Sequence, residues 1–331
     1  MRYFIFQQIG WKVNMAVLPP DPVYVLRCPD KVGPNSLCFH QNDRLLAGTL
    51  KGNVLLWDLQ TNRSSLRFSV GSQPIITLHH THDLLISQEK DGTITLWSME
   101  NAGYTRHRTI NTGHIGFCRS VLLDNLLFYP VGEDSVGILH VNDPNSFSQT
   151  LVPTKDSQSP KLGMVACLKA FKFAAKYYVL AGYESGHFIT WDIDLGKAVD
   201  VHAMRENSMA LDYDPCTNRG IIGGSSENLT VFSYQPETMK LQPCGDMSVK
   251  NPGINCIRIR PDLKILSTGG LDGRIRMFSW KSLRPLAVLT EHKTGAIMDI
   301  SYSTDKVTIW KSPIMAVAGM DSLISLWDLY N

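Results

Sequence analysis

The sequence predicts an all-β protein: seven four-stranded blades arranged as a β-propeller, with the ring closed by an N-terminal strand that completes the last blade. Three observations predict it. One template recurs seven times, an apolar strand, a polar turn of small residues and an alternating strand that ends on an aromatic position, as in "LLAGTLKGNVLLWDL" and "ILSTGGLDGRIRMFSW". That position falls at Trp57, Trp97, His140, Trp191, Phe232, Phe278 and Trp327, at spacings of 40, 43, 51, 41, 46 and 49 residues, the length of a four-stranded blade. The last copy, "AVAGMDSLISLWDLY", leaves no residues after it for an outer strand.

Each template supplies the two middle strands of a blade. Inner strands precede it, such as "SLCFH", "IITLH", "INCIRIR" and "IMDISYS", and polar outer strands follow, such as "SLRFSV" and "PLAVLT". "DPVYVLR" (Asp21 to Arg27) is the strand expected to pair with Ile324 to Asp328, because an unpaired edge there would invite association with other chains. A truncation before Leu26 is expected to unlock the ring. The propeller is assigned to residues 19–331 and an extension without repeat pattern to 1–18. Met15 is an alternative start, which would make the first fourteen residues dispensable.

A net charge of +2, from 32 Lys and Arg against 30 Asp and Glu, gives no field suited to phosphate-driven binding, which speaks against a nucleic-acid reader. The seven cysteines are scattered without a Cys-x-x-Cys pair, neither a disulfide framework nor a zinc site. No stretch has the length of a signal-peptide core or a membrane span. These features point to a reducing compartment, cytoplasm or nucleus, and to no membrane partner.

WD repeats carry an acidic turn residue six positions before the tryptophan, where it can bond to backbone and to a histidine of the same blade. Asp91, Asp134, Asp272 and Asp321 hold that position, with Trp57, Trp97, Trp191 and Trp327 as the tryptophans. His292 is the expected partner in the last blade and His114 in the third; such a network orders loops rather than performing chemistry. Lys51, Ser185 and Ser226 replace the acid elsewhere, and His140, Phe232 and Phe278 replace tryptophan. Uneven blade stability is expected, with early hydrogen exchange at 125–160 and 219–250.

No motif for catalysis, metal or cofactor stands out. "LHHTHD" (78–83) reads as a polar turn without a second ligand cluster, and the glycine pairs of "GGLDGRIR" and "IIGGSS" precede no helix that could hold a phosphate. The inner strands offer Asp212, Asp299 and Arg258 to the channel, and an enzymatic channel mouth would need three or more titratable groups in contact. More informative are three loops entering inner strands with glycine before an apolar residue: "HIGFCRS", "PKLGMVACL" and "KNPGINCIR". All three should open on one face, together with the turns "YESG" and "LDGR". The expected protein-binding residues are therefore Phe117, Arg119, Lys161, Met164, Tyr183, Glu184, Asn251, Pro252 and Arg274. Reversing the charges of Arg119 and Lys161 together is the test this reading suggests.

Motifs outside the generic repeat, "PPDPVYVLR", "GFCRS", "KLGM", "LAGYESG", "NPGI", "IRPDLKIL" and "ISLWDLY", resemble the G-protein β-subunit-like protein 1 family, which includes the ASTRA-associated WD-repeat proteins. The resemblance runs from about Leu18 to Asn331. It implies a non-enzymatic scaffold working with the TTT co-chaperone and Hsp90-linked machinery that matures phosphatidylinositol-3-kinase-related kinases, with effects on DNA-damage signalling and chromatin. It brings no catalytic residues. The long connection at 142–163 departs from the family pattern. Two alternatives fit less well: a heterotrimeric G-protein β subunit needs an N-terminal helix that "LPPDP" interrupts, and a cullin-ligase receptor needs Arg two residues after Trp-Asp, where this chain has "WDLQ", "WDID" and "WDLY".

Overall fold

The computed structural model describes residues 20–330 apart from 42, 82, 101–102, 144–148, 156, 158 and 205–207. The extension at 1–18, the alternative start at Met15 and parts of the 142–163 connection therefore lie outside the described residues.

Seven four-stranded antiparallel sheets form the ring, and no α-helix occurs among the described residues. The middle strands fall where the template sets them, for example Arg44–Thr49 with Asn53–Asp58, and Met315–Gly319 with Leu323–Trp327. Closure is as expected: Tyr24–Arg27 pairs antiparallel with Leu323–Trp327, setting Tyr24 against Leu326 and Leu26 against Ile324.

The core is distributed between the blades. Each of seven apolar clusters joins two neighbours, such as Leu26, Leu37, Trp57, Ala316 and Ile324 between the seventh and first. This follows from the alternation, because both faces of a middle strand are covered and its side chains point to one neighbouring blade or the other.

Six of the seven inner strands carry a register shift near their start, between Pro34/Ser36, Ile75/Thr77, Val165/Cys167, Ser208/Ala210, Ile254/Cys256 and Ile297/Asp299. A bulge re-aims the extra residue out of the ladder. At two of them the freed side chain bonds the next blade: Asn35 Nδ2 donates to Ile75 O at 2.9 Å and Asn255 Nδ2 to Ile297 O at 2.8 Å. The third blade has the shortest strands, Val121–Leu123 and Gln149–Leu151, and no such bulge.

Among the described residues the repeat network is complete only in the seventh blade. The Asp321 carboxylate accepts from His292 Nδ1 at 2.9 Å, which in the neutral ring leaves Nε2 to accept from the Ser325 hydroxyl at 2.8 Å, and Ser325 Oγ in turn accepts from Trp327 Nε1 at 2.8 Å. In the sixth blade Arg276 takes the histidine's role on Asp272, at 2.7 Å. In the second, Asp91 accepts from the Thr93 amide, and Trp97 donates to Ser87. The third corrects the expectation for His114: its Nδ1 donates to Gly132 O at 2.9 Å while Asp134 pairs with Lys155 at 2.7 Å, so the two never meet.

Candidate functional site

Antiparallel blades put every outer-to-inner connection and every turn between the middle strands on one face, called the upper face below. The loop between the second and third blades, Thr112 to Ser120, is fastened there by bonds to both neighbouring blades and across the channel. Its two tips, Ile115 and Phe117, are 67% and 69% exposed, the highest values among the exposed large apolar residues. The residues between and behind them are pinned. His114 is buried against Gly132, the Gly116 amide donates to Lys90 O at 3.2 Å, and Cys118 is buried with its carbonyl accepting from Gln88 Nε2 at 3.0 Å. A Cβ at Gly116 would lie 2.9 Å from His114 Nε2, so a larger residue there would have to shift the buried imidazole. Lys90 Nζ sits 4.2 Å from the centre of the Phe117 ring.

Arg119 completes the fastening and corrects its assignment. Instead of facing a partner it crosses the central channel: Nη1 pairs with Asp299 at 2.7 Å, and Nη2 donates to Met298 O at 2.6 Å and Asn35 O at 3.2 Å. Its guanidinium fork suits three acceptors at once. Reversing its charge would break the channel, so the Arg119/Lys161 pair cannot report on binding alone.

Of the other expected contact residues, Lys161, Glu184, Pro252 and Arg274 are exposed and Met164 and Asn251 half-buried, all on the upper face. Tyr183 is corrected: it is fully buried, its hydroxyl donating to Asp134 O at 3.1 Å. The Glu184 carboxylate accepts from the Met164 amide at 3.0 Å, and Asn251 Nδ2 donates to Asp272 at 2.9 Å. Burial raises the Asp272 carboxyl, but Arg276, Asn251 and the Arg274 amide outweigh it and hold it at about 2. These residues lie on loops of different blade pairs, spread around the ring rather than gathered in one patch. Ile115, Lys90, Leu271 and Met320 were missed, although "HIGF" sets Ile115 beside the glycine that marks the loop.

The channel itself is threaded by alternating charge. Lys169 meets Asp212 at 2.5 Å, while Arg258 and Arg119 converge on Asp299 at 3.1 and 2.7 Å. Both acids also clamp the next blade, Asp212 taking the Ile259 amide at 2.7 Å and Asp299 the Leu37 amide at 2.9 Å. Three titratable groups thus do meet, as an enzymatic channel would require, but the carboxylates are saturated by cations and backbone amides and none is poised as a base. His79 and His80 end the Ile75–His80 strand rather than forming a turn; His82 lies outside the described residues. His79 Nε2 contacts Ser120 O at 3.1 Å, and burial lowers its pKa from 6.5 to about 4. Burial pushes the thiols of Cys28, Cys38, Cys167 and Cys256 up to about 12, so they are structural. Among the described residues no group of three metal-binding side chains occurs, and no helix is long and apolar enough to cross a membrane.

His79 makes stability depend on pH. Its folded value lies below its unfolded value, so the unfolded chain takes up the proton first as pH falls from 6.5 towards 4, and stability drops over that window. Between pH 7 and 5 the loss is expected to be about 2 kcal/mol, and His79→Gln should flatten the dependence in denaturant titrations.

A sequence profile described as "WD domain, G-beta repeat" matches residues 20–58, 244–279 and 283–328. The guanine nucleotide-binding protein subunit beta-like protein 1 of Mus musculus is 34% identical over 331 aligned residues, covering 94% of this chain and 97% of that protein. ASTRA-associated protein 1 of Schizosaccharomyces pombe is 25% identical, covering 94% and 99%. Among solved structures, the β-propeller domain of Cps50 (Swd1) from Myceliophteria thermophila superposes with a TM-score of 0.73 at 14% identity, covering 90% of this chain and 97% of that one, a likeness of fold. With its seven closed blades and an end-to-end relative at 34% identity, the chain belongs to the guanine nucleotide-binding protein subunit beta-like protein 1 family of WD-repeat proteins.

Proposed function

We propose that this protein is a non-enzymatic scaffold whose upper face holds protein partners, with Ile115 and Phe117 as the anchor. The observation that carries the reading is the fastening of that loop. Two large apolar side chains stand in solvent while four neighbouring contacts, one of them spanning the channel, keep them there. Ordered apolar anchors of this kind dominate binding energy because little conformational freedom is lost when they dock.

The partners we assign are components of the TTT co-chaperone and the phosphatidylinositol-3-kinase-related kinases it matures, with consequences for DNA-damage signalling and chromatin regulation. The family resemblance and the name of the ASTRA-associated relatives support this assignment. The same reading has the protein at work in both cytoplasm and nucleus. Replacing Ile115 and Phe117 by aspartate in the full chain is expected to cut recovery of these components from cell extract about ten-fold or more. Since both side chains are exposed, stability should change by no more than about 0.5 kcal/mol. Unchanged recovery with intact folding would remove the anchor from the proposal.

A further inference from the structure

One position of the repeat divides the upper face into two sectors. The residue seven places before the aromatic position opens the turn between the middle strands of each blade. It is Lys90, Glu133, Glu184 and Ser225 in the second to fifth blades, but Leu271, Met320 and Leu50 in the sixth, seventh and first. Those three blades are consecutive in the closed ring. Folding does not require an apolar residue there, since four blades make the same turn with a charged or polar one.

The three side chains form a continuous arc. A Cβ added at Gly33 would lie 3.2 Å from Leu50 Cδ1 and 3.3 Å from Met320 O, so this glycine sits between the turns of the first and seventh blades. Gly295 links Met320 to the turn of Leu271 in the same way: its own Cβ position is 2.9 Å from Met320 Cβ, and its carbonyl is 2.8 Å from the Cβ position of Gly273. Each apolar residue is also held by its amide, Leu271 donating to Gly253 O at 2.9 Å, Met320 to Ala296 O at 2.9 Å and Leu50 to Gly33 O at 3.1 Å. Leu271 and Met320 nevertheless stand exposed, and Leu50 is half-buried.

The unmatched charges around the arc are mostly of one sign. Lys51 and Arg274 lie in the turns themselves, and Lys31, Lys250 and Lys293 on the loops that enter the three blades, all five exposed. The aspartates of the same loops already have cations or donors of their own: Asp30 pairs with Arg67 at 2.5 Å, Asp272 with Arg276 at 2.7 Å, and Asp321 with His292 at 2.9 Å. Arg274 comes only within 3.9 Å of Asp272. Half-buried Glu291 is the other carboxylate on these loops.

We propose that this arc is a second docking surface, for an acidic protein segment that presents aliphatic side chains. The aliphatic groups pack on Leu271, Met320 and Leu50, and the carboxylates meet the surrounding cations. A nucleic acid would use the cations alone and leave the aliphatic side chains without a partner. The surface goes beyond the Ile115/Phe117 anchor, which lies past the second blade, and does not depend on it.

The test uses the full chain and a fluorescent peptide of about fifteen residues, glutamates and serines with three spaced leucines, which spans about 50 Å when extended. Fluorescence anisotropy is expected to show saturable binding that weakens with salt. Leu271→Ser with Met320→Ser should lower the affinity about ten-fold or more, and Lys51→Glu with Lys293→Glu should do the same while flattening the salt dependence. All four side chains are exposed, and an unchanged denaturant midpoint identifies folded variants. Ile115→Asp with Phe117→Asp should leave the affinity unchanged, so the arc and the anchor are read separately; a loss there would place the peptide at the anchor and overturn the proposal. A peptide with serine in place of leucine should bind about ten-fold more weakly. Absence of saturable binding overturns the proposal. So does equal binding of the leucine-free peptide or of a single-stranded oligonucleotide, which would make the arc a basic surface without apolar selectivity.

Discussion

Leu26→Ala is expected to lower the free energy of unfolding by about 3 to 5 kcal/mol, a large share of the stability of a single domain. Leu26 is 1% exposed and lies in the cluster that joins the seventh blade to the first, with Leu37, Ala316 and Ile324. Truncating it leaves a void at the one joint where the ring is held by pairing rather than by a covalent connection. Part of that loss should therefore appear as strand release. Tyr24→Ser is the internal control, since Tyr24 lies in the same strand at 42% exposure and should cost less than about 1 kcal/mol. Guanidinium titrations compare the two through their midpoints. Light scattering tests whether the released edge on Leu323–Trp327 recruits a second chain. Equal effects of the two substitutions would mean that the joint adds nothing beyond strand pairing.

The second large effect is expected at Asp299, where removal by Asp299→Ala should cost about 3 to 5 kcal/mol. Two guanidinium groups converge on a carboxylate that is 4% exposed, and the Leu37 and Ile300 amides depend on it as well. Without it, the two cations lose their shared carboxylate and the first blade loses the Leu37 bond to the seventh, keeping those from Thr308 to Asp43. Arg119→Met by itself should cost less, because Asp299 keeps Arg258 and both amides. A double-mutant cycle between Arg119 and Asp299 should give a coupling of about 1 to 3 kcal/mol. A coupling near zero would show that the arginine is held by the Met298 and Asn35 carbonyls and not by the charge.

How much of this was legible in the sequence depended on the range of the interaction. The middle strands follow from local alternation, and closure follows from counting strands, so both were visible. The Asp321–His292 pair was visible for the same reason, since the acid sits at a fixed offset before Trp327, but Ser325, which links His292 to Trp327, was not foreseen. Arg119 was not. Its partners lie 84 and 179 residues away, and nothing in "GFCRS" distinguishes an arginine aimed outward from one aimed across the channel. Tyr183 was misread because it immediately precedes an exposed turn, where strand alternation alone decides that it points inward. The bulges were invisible for a related reason: an extra residue in an inner strand leaves the apolar pattern of the template intact.

The long reach of Arg119 also imposes an order of events. Ile115 and Phe117 belong to the first half of the chain, but the Met298 carbonyl and the Asp299 carboxylate that fix their loop belong to the last blade made. During synthesis, which proceeds from the N-terminus at about 5–20 residues per second, the contacts to Gln88, Lys90 and Gly132 are available early, and the Arg119 contacts to Met298 and Asp299 come last. That last fastening forms only once the seventh blade has been made and has met the first, so the Arg119 side chain reaches its bonded position only in a closed ring.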